Sequence, residues 1–138
     1  MEFVRSYLIR FAHCDPAGIV FYPRYFGLFN DHVEDWFNEG LGADFAELHR
    51  TRHLGVPTVH IECDFANPTR QGETLDLALQ VERIGRASVT LVRQARCGDD
   101  VRVRMRQVLA CVNTAGNTAL PWPDDLRAAM TRYLVQDA

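Results

Sequence analysis

No stretch of this chain approaches the roughly 20 consecutive apolar residues that cross a bilayer, which excludes a transmembrane helix. The N-terminus, Met1-Glu2-Phe3-Val4-Arg5, shows no long apolar core followed by a small-residue cleavage site, so no secretory leader is expected. Basic charge is not in excess. Fifteen basic residues face 18 acidic ones, a net charge of −3, which argues against nonspecific nucleic-acid binding. Cysteine is sparse: positions 14, 63, 97 and 111, with no C-x-x-C pair and no zinc-site spacing. Reduced thiols in a cytoplasmic protein are the simplest reading. There is no internal repeat, low-complexity tract or linker. What remains is an ordinary globular composition, 47% hydrophobic and 24% charged. One domain over residues 1–138 is expected, and a chain of this length buries roughly 68–70% of its unfolded surface.

Hydrophobic periodicity divides the chain. Phe3, Tyr7, Ile9 and Phe11 predict a strand over residues 3–11. Asp15-Pro16-Ala17-Gly18 ends it in a turn, with Pro16 biasing Asp15 toward extended backbone and Gly18 able to take a positive φ. A helix is predicted over residues 23–39. Pro23 suits its first position, and Phe26, Phe29, Val33, Trp36 and Phe37 share one face. Gly40 is its expected stop. A short helix is predicted within 42–53. The period then changes to two, with strands at 60–66, around Leu75, Leu77, Leu79 and Val81, at 88–96, and along Val101, Val103, Met105, Gln107 and Leu109. Gly85-Arg86 and Gly98-Asp99-Asp100 are turns. A C-terminal helix follows Pro121-Trp122-Pro123, with Asp124 and Asp125 in its first turn, where the helix dipole favours acid. Short turns imply antiparallel neighbours. The pattern predicts an α+β layer structure, one long helix on an antiparallel sheet of about five strands. Open edge strands then predict pairing into at least a homodimer.

The richest segment is Asp15-Pro16-Ala17-Gly18-Ile19-Val20-Phe21-Tyr22-Pro23-Arg24-Tyr25-Phe26. It sets one carboxylate in a tight turn, then an apolar run, then a helix start whose free N–H groups carry partial positive charge. This run resembles the signature of the 4-hydroxybenzoyl-CoA thioesterase family. The resemblance implies a hotdog fold, a central helix wrapped by a curved antiparallel sheet, assembled as a homodimer or homotetramer with sites between protomers. It implies hydrolysis of an acyl-CoA thioester, aryl or short-chain, without metal or cofactor. In that reading Asp15 is the catalytic carboxylate, as nucleophile or as general base. The main-chain N–H of Tyr22 polarises the carbonyl. His13, Gly18, Phe21, Tyr25, Phe26 and Asn30 fall to the substrate, and Gly85, Arg86 and Ser88 to CoA. Family members acting on hydroxybenzoyl thioesters carry an acidic residue near Asn30, so the amide there departs from the pattern.

Plainer roles stand beside these. Asp15 suits a turn that bonds its own backbone. His13 can orient Asp15, touch substrate, or serve structure. Cys14 alternates with both neighbours and points away from them. The aromatics suit core as well as acyl pocket. Arg86 suits a phosphate by its fork geometry, or solvent. Arg102, Arg104 and Arg106 read as a solvated stripe or a subunit contact. His49 and His53 have metal-ligand spacing, but Arg50-Thr51-Arg52 between them favours a surface pair. His60, Glu62 and Asp64 share a strand face, as a pocket wall or a subunit contact. Two other functions compete: a hotdog enoyl-CoA hydratase or dehydratase, for which His32 with Glu34 or Asp35 is the nearest acid–base set, and a noncatalytic acyl-CoA-binding module.

Overall fold

The first strand, β1 (Phe3–Leu8), is shorter than its alternation predicts. Arg10 starts a 3-10 turn over Phe11–His13, capped by the His13 ring on the Arg10 N–H, and Phe11 is left 80% exposed. The computed structural model describes residues 1–136. Helix α1 (Pro23–Asp35) starts on Pro23 as predicted and runs into a single wider π turn, Trp36–Gly40. Gly40 closes the helix by close packing. A Cβ there would lie 2.7 Å from Trp36 and 2.9 Å from the Tyr133 hydroxyl. A short helix, α2 (Phe45–Arg50), is capped by Asp44 on the Glu47 N–H.

The remaining strands are β2 (Leu54–Gly55), β3 (Thr58–Phe65), β4 (Thr74–Ile84), β5 (Ser88–Cys97), β6 (Asp100–Ala110) and β7 (Val112–Asn113), before helix α3 (Asp124–Thr131). Five of them form one antiparallel sheet in the order β1-β4-β5-β6-β3. The predicted class and strand number hold, and so do the antiparallel neighbours across the two predicted turns, β4–β5 and β5–β6; β3 and β4 are the exception. β3 and β4 are consecutive in the chain yet lie on opposite sides of β5 and β6, so residues 66–73 cross the end of the sheet. The two-stranded β2–β7 ribbon is too short to show in the alternation.

One sheet face packs on α1. Leu75, Leu77, Leu79 and Val81 of β4 lie beside Val89, Leu91 and Ala95 of β5, and all are fully buried. Tyr25, Leu28, Phe29, Val33, Trp36 and Phe37 cover them from the helix. Each such side chain contributes roughly 1.5–3 kcal/mol on burial. Phe26, the remaining predicted member of the helix face, is half-buried. Leu126, Met130 and Tyr133 close one end of this core from α3 and the residues after it. The far edge differs. Along β3 no residue is fully buried, and Val59, Ile61 and Phe65 stand 61%, 38% and 46% exposed. No helix among the described residues is long and apolar enough to cross a membrane.

Candidate active site

The turn after the 3-10 segment is built on backbone bonds. The Asp15 N–H donates to Ile19 O at 2.9 Å, and Gly18 donates to Asp15 O at 2.9 Å. Gly18 sits at φ 78, the left-handed region that glycine enters without steric cost. Cys14 bridges to Val20, and Phe21 N–H donates to His13 O at 2.9 Å. The turn that carries Asp15 is therefore laced, through residues 13–15 and 19–21, to the segment that leads into the helix start at Tyr22. Asp15 is half-buried, and its Oδ1 accepts the Ala17 N–H at 2.9 Å. Its Oδ2 has no hydrogen-bond partner among the described residues.

The helix start is equally informative. Pro23 has no N–H, Arg24 N–H donates to Phe21 O, and Tyr25 N–H donates to Tyr22 O. The Tyr22 N–H has no partner among the described residues. It is the free donor of the first turn, at the positive end of the helix. An amide so placed can steady a developing oxyanion, and one such donor is worth roughly 2.7–4 kcal/mol of barrier.

Aromatic rings gather around it. Phe65 from β3 lies 5.9 Å from Tyr22, 5.7 Å from Tyr25 and 6.4 Å from Phe26, and Phe21 lies 5.5 Å from Tyr22. Tyr22, Tyr25 and Phe65 with Ile19, Val20 and Pro68 line a cavity of about 270 Å³. Tyr25 is buried, and its hydroxyl donates to Thr69 Oγ1 at 2.9 Å. Phe65 lies within the predicted strand 60–66, but alternation alone says nothing of which helix end it meets.

The other predicted site residues fall elsewhere. His13 bonds the Arg10 N–H through Nδ1 rather than Asp15. Cys14 packs against the core and bonds Arg10 O. Asn30 is exposed and lines a separate cavity of about 500 Å³ with Phe45, His49, Val56 and Pro57. Gly85, Arg86 and Ser88 form the β4–β5 turn. The tail clasps that turn: Trp122 Nε1 donates to Ser88 O at 2.9 Å and Arg127 to Gly85 O at 2.8 Å. The Arg86 side chain is exposed, with no bonding partner among the described residues. His49 is half-buried and bonds Phe45 O, and His53 takes a left-handed φ of 53. His60 bonds Glu62 on the sheet face away from α1, where Glu62 and Asp64 pair in register with Arg106 and Arg104. The arginine stripe is not uniform. Arg106 pairs with Glu82, whereas Arg102 is drawn into a clasp with Glu73 and Asp100.

His32 is a buried structural group. An arginine only donates, so His32 Nδ1 accepts from Arg93 at 2.7 Å; a carbonyl only accepts, so Nε2–H donates to Phe3 O at 3.2 Å. Both ring nitrogens are used, and the imidazole is neutral. Burial, then the neighbouring Arg93 charge, lowers its pKa to about 3. The hydratase reading loses its histidine here.

A long helix laid on a five-stranded antiparallel sheet, with a carboxylate turn at the helix start, defines the hotdog class of α+β enzymes. Solved structures share the architecture: a 1,4-dihydroxy-2-naphthoyl-CoA thioesterase from Synechocystis (16% identical, TM-score 0.85, 95% of this chain and 96% of that one) and the dynemicin thioesterase (19%, TM-score 0.89, 99% and 100%). A gentisyl-coenzyme A thioesterase gives TM-score 0.83 at 24% identity, over 92% and 98%. A relative by sequence, the 1,4-dihydroxy-2-naphthoyl-CoA hydrolase of Nostoc punctiforme, is 21% identical over 126 residues, 91% of this chain and 84% of its own. The Thioesterase-like superfamily matches residues 9–130, and the chain belongs to it. It is a thioester hydrolase.

Proposed function

We propose that the chain, acting as a single domain over residues 1–138, hydrolyses aryl- or short-chain acyl-CoA to the free acid and CoA, with Asp15 as the reacting carboxylate. The observation that carries this reading is a turn carboxylate with an uncommitted Oδ2, tied by backbone bonds to the segment that starts α1, where the Tyr22 N–H is unpaired. The oxygen attacks the thioester carbonyl directly, or takes a proton from the water that does. The carbonyl oxygen gains negative charge opposite the Tyr22 N–H. Collapse breaks the C–S bond, and CoA leaves as thiolate; after direct attack, water then hydrolyses the Asp15–acyl anhydride, releasing the acid and restoring the carboxylate. The aromatic ring set around Phe65 favours a flat acyl group, as do the hydroxyaryl substrates in the relatives' names.

The residues given to substrate occupy three separate regions of one chain. A site that uses all of them needs a second copy, which the exposed apolar edge of β3 suits. The active form is therefore a homodimer or a homotetramer built from dimers. Arg86, exposed and unpaired, suits the CoA phosphates. Membership of the narrower 4-hydroxybenzoyl-CoA family and a cytoplasmic setting complete the reading. All four cysteines are free thiols, in keeping with a reducing compartment.

A panel of aryl- and acyl-CoA thioesters, with released thiol read by a thiol-reactive dye, tests this. CoA is expected from aryl esters first. Arg86→Ala is expected to raise KM for CoA esters more than for pantetheine esters. No thiol from any ester, with reversible hydration of an enoyl-CoA, would move the chain to the rival class.

A further inference from the structure

The loop over residues 66–73 is stitched to the Asp15 turn. Val20 N–H donates to Thr69 O at 2.8 Å, Gln71 N–H donates to Gly18 O at 3.1 Å, and Ile19 bridges to Arg70. Backbone bonds fix the two ends of the loop, Ala66 and Asn67 N–H to Arg102 O and Gly72 N–H to Ile9 O, and one ion pair grips its middle. Arg102 of β6 donates to both Glu73 oxygens at 3.0 and 2.9 Å, to Asp100 at 2.6 Å, and to Pro68 O at 2.9 Å. Glu73 Oε1 also accepts the Arg70 N–H at 2.7 Å, and its main chain meets Ile9 through Ile9 N–H to Glu73 O at 2.8 Å. Both sides of the clasp therefore act on loop backbone: Arg102 grips Pro68, and Glu73 grips Arg70. Between those two points lies Thr69, fully buried under the Tyr25 hydroxyl; its carbonyl accepts the Val20 N–H, and Gln71, which donates to Gly18 O, follows directly.

We propose that Glu73 and Arg102 are positioning residues for the thioesterase reaction, fixing the Asp15 turn through the 66–73 loop. The proposal rests on the hydrolytic reading above. Neither residue touches the reacting atoms. Loss of the clasp loosens the middle of the loop, the bonds from Val20 to Thr69 O and from Gln71 to Gly18 O weaken, and the Asp15 turn drifts. Small misplacements of a reacting group are costly to turnover.

The test compares Glu73→Ala with Glu73→Gln, whose one amide oxygen can take the place of Oε1 and accept from both the Arg70 N–H and Arg102, while the bond made by Oε2 is lost. Steady-state kinetics on the best thioester is read alongside residue-resolved amide exchange. Glu73→Ala is expected to lower kcat at least about tenfold with KM nearly unchanged. Amide exchange should speed up at Val20 and Gln71 but not at Leu77 or Leu91 in the sheet. Glu73→Gln should recover most of the turnover. Unchanged exchange at Val20 and Gln71 overturns the proposal, and so does full turnover with a loosened turn. Faster exchange throughout, Leu77 and Leu91 included, reduces Glu73 to a plain stability residue and overturns it too. An unmodified protein that releases no thiol overturns the thioesterase reading itself, a failure visible before any variant is compared.

Discussion

Arg93 and Arg102 stand on neighbouring strands of one sheet and are held in opposite ways. Arg93, 2% exposed under α1, has only neutral partners: Gln107 at 2.8 Å, Phe29 O at 3.0 Å, His32 Nδ1 at 2.7 Å and the face of Phe29 at 4.7 Å. Its Nε has no partner among the described residues. Burial lowers its pKa to about 9. Arg102, at the rim, meets two carboxylates, and the bond to Glu73 raises its pKa further. The Arg93 chain runs from Phe3 O on one sheet edge, through His32, Arg93 and Gln107, to Thr58 on the other. The Arg102 clasp reaches only one loop. A buried charge on neutral acceptors ties the whole fold together, whereas a paired charge at the rim ties down a local segment.

Chemical denaturation of Arg93→Ala and Arg102→Ala tests that contrast most strongly. Arg93→Ala is expected to lose at least about 3 kcal/mol, because it opens a cavity and orphans His32 Nδ1 and the Gln107 amide oxygen. Arg102→Ala is expected to lose about 1–2 kcal/mol, since solvent screens a rim pair. Equal losses would erase the distinction.

The pH dependence sharpens it at smaller amplitude. The unfolded chain binds a proton at His32 near pH 6.5, and the folded one only at about 3. His32 thus adds stability that is whole above pH 6.5 and drains as pH falls through that window, by about 1.4 kcal/mol per unit. Glu73, held down to about 2 first by its bond to Arg102, adds a further loss only as pH falls from 4.5. Urea unfolding between these limits should slope in the unmodified protein and flatten above pH 4.5 in His32→Gln. A flat profile in both contradicts a neutral, buried His32.

Much of the fold is legible in the residues. The 3.6-residue spacing from Phe26 to Phe37 and the alternation in β4, β5 and β6 specify the helix, the strands and their buried faces. The order β4-β5-β6 is legible from its two short turns, but the places of β1 and β3 are not, because alternation shows which face is buried and says nothing of which distant strand is paired. The departure in β1 comes from a local bond, the His13 ring on the Arg10 N–H, that competes with extension. At the site, the Asp15 turn and the Pro23 helix start are visible as turn chemistry. Phe65, Thr69 and Glu73 are not: Phe65 meets the helix start from the end of a distant strand, and Thr69 and Glu73 reach the turn through a loop that crosses the sheet. One signal was available for Arg93: it takes the inward position in the series Val89, Leu91, Arg93, Ala95, where a charge must find partners. The evenly spaced Arg102, Arg104 and Arg106 carried no such mark, and only their partners distinguish them.

The central claim is that the Asp15 carboxylate performs the reaction. Thiol release by purified Asp15→Asn on the preferred thioester, with its thermal unfolding matched to the unmodified protein, tests it directly. Turnover is expected to fall by at least about 10² with stability intact. Hydrolysis near the unmodified rate would contradict the account.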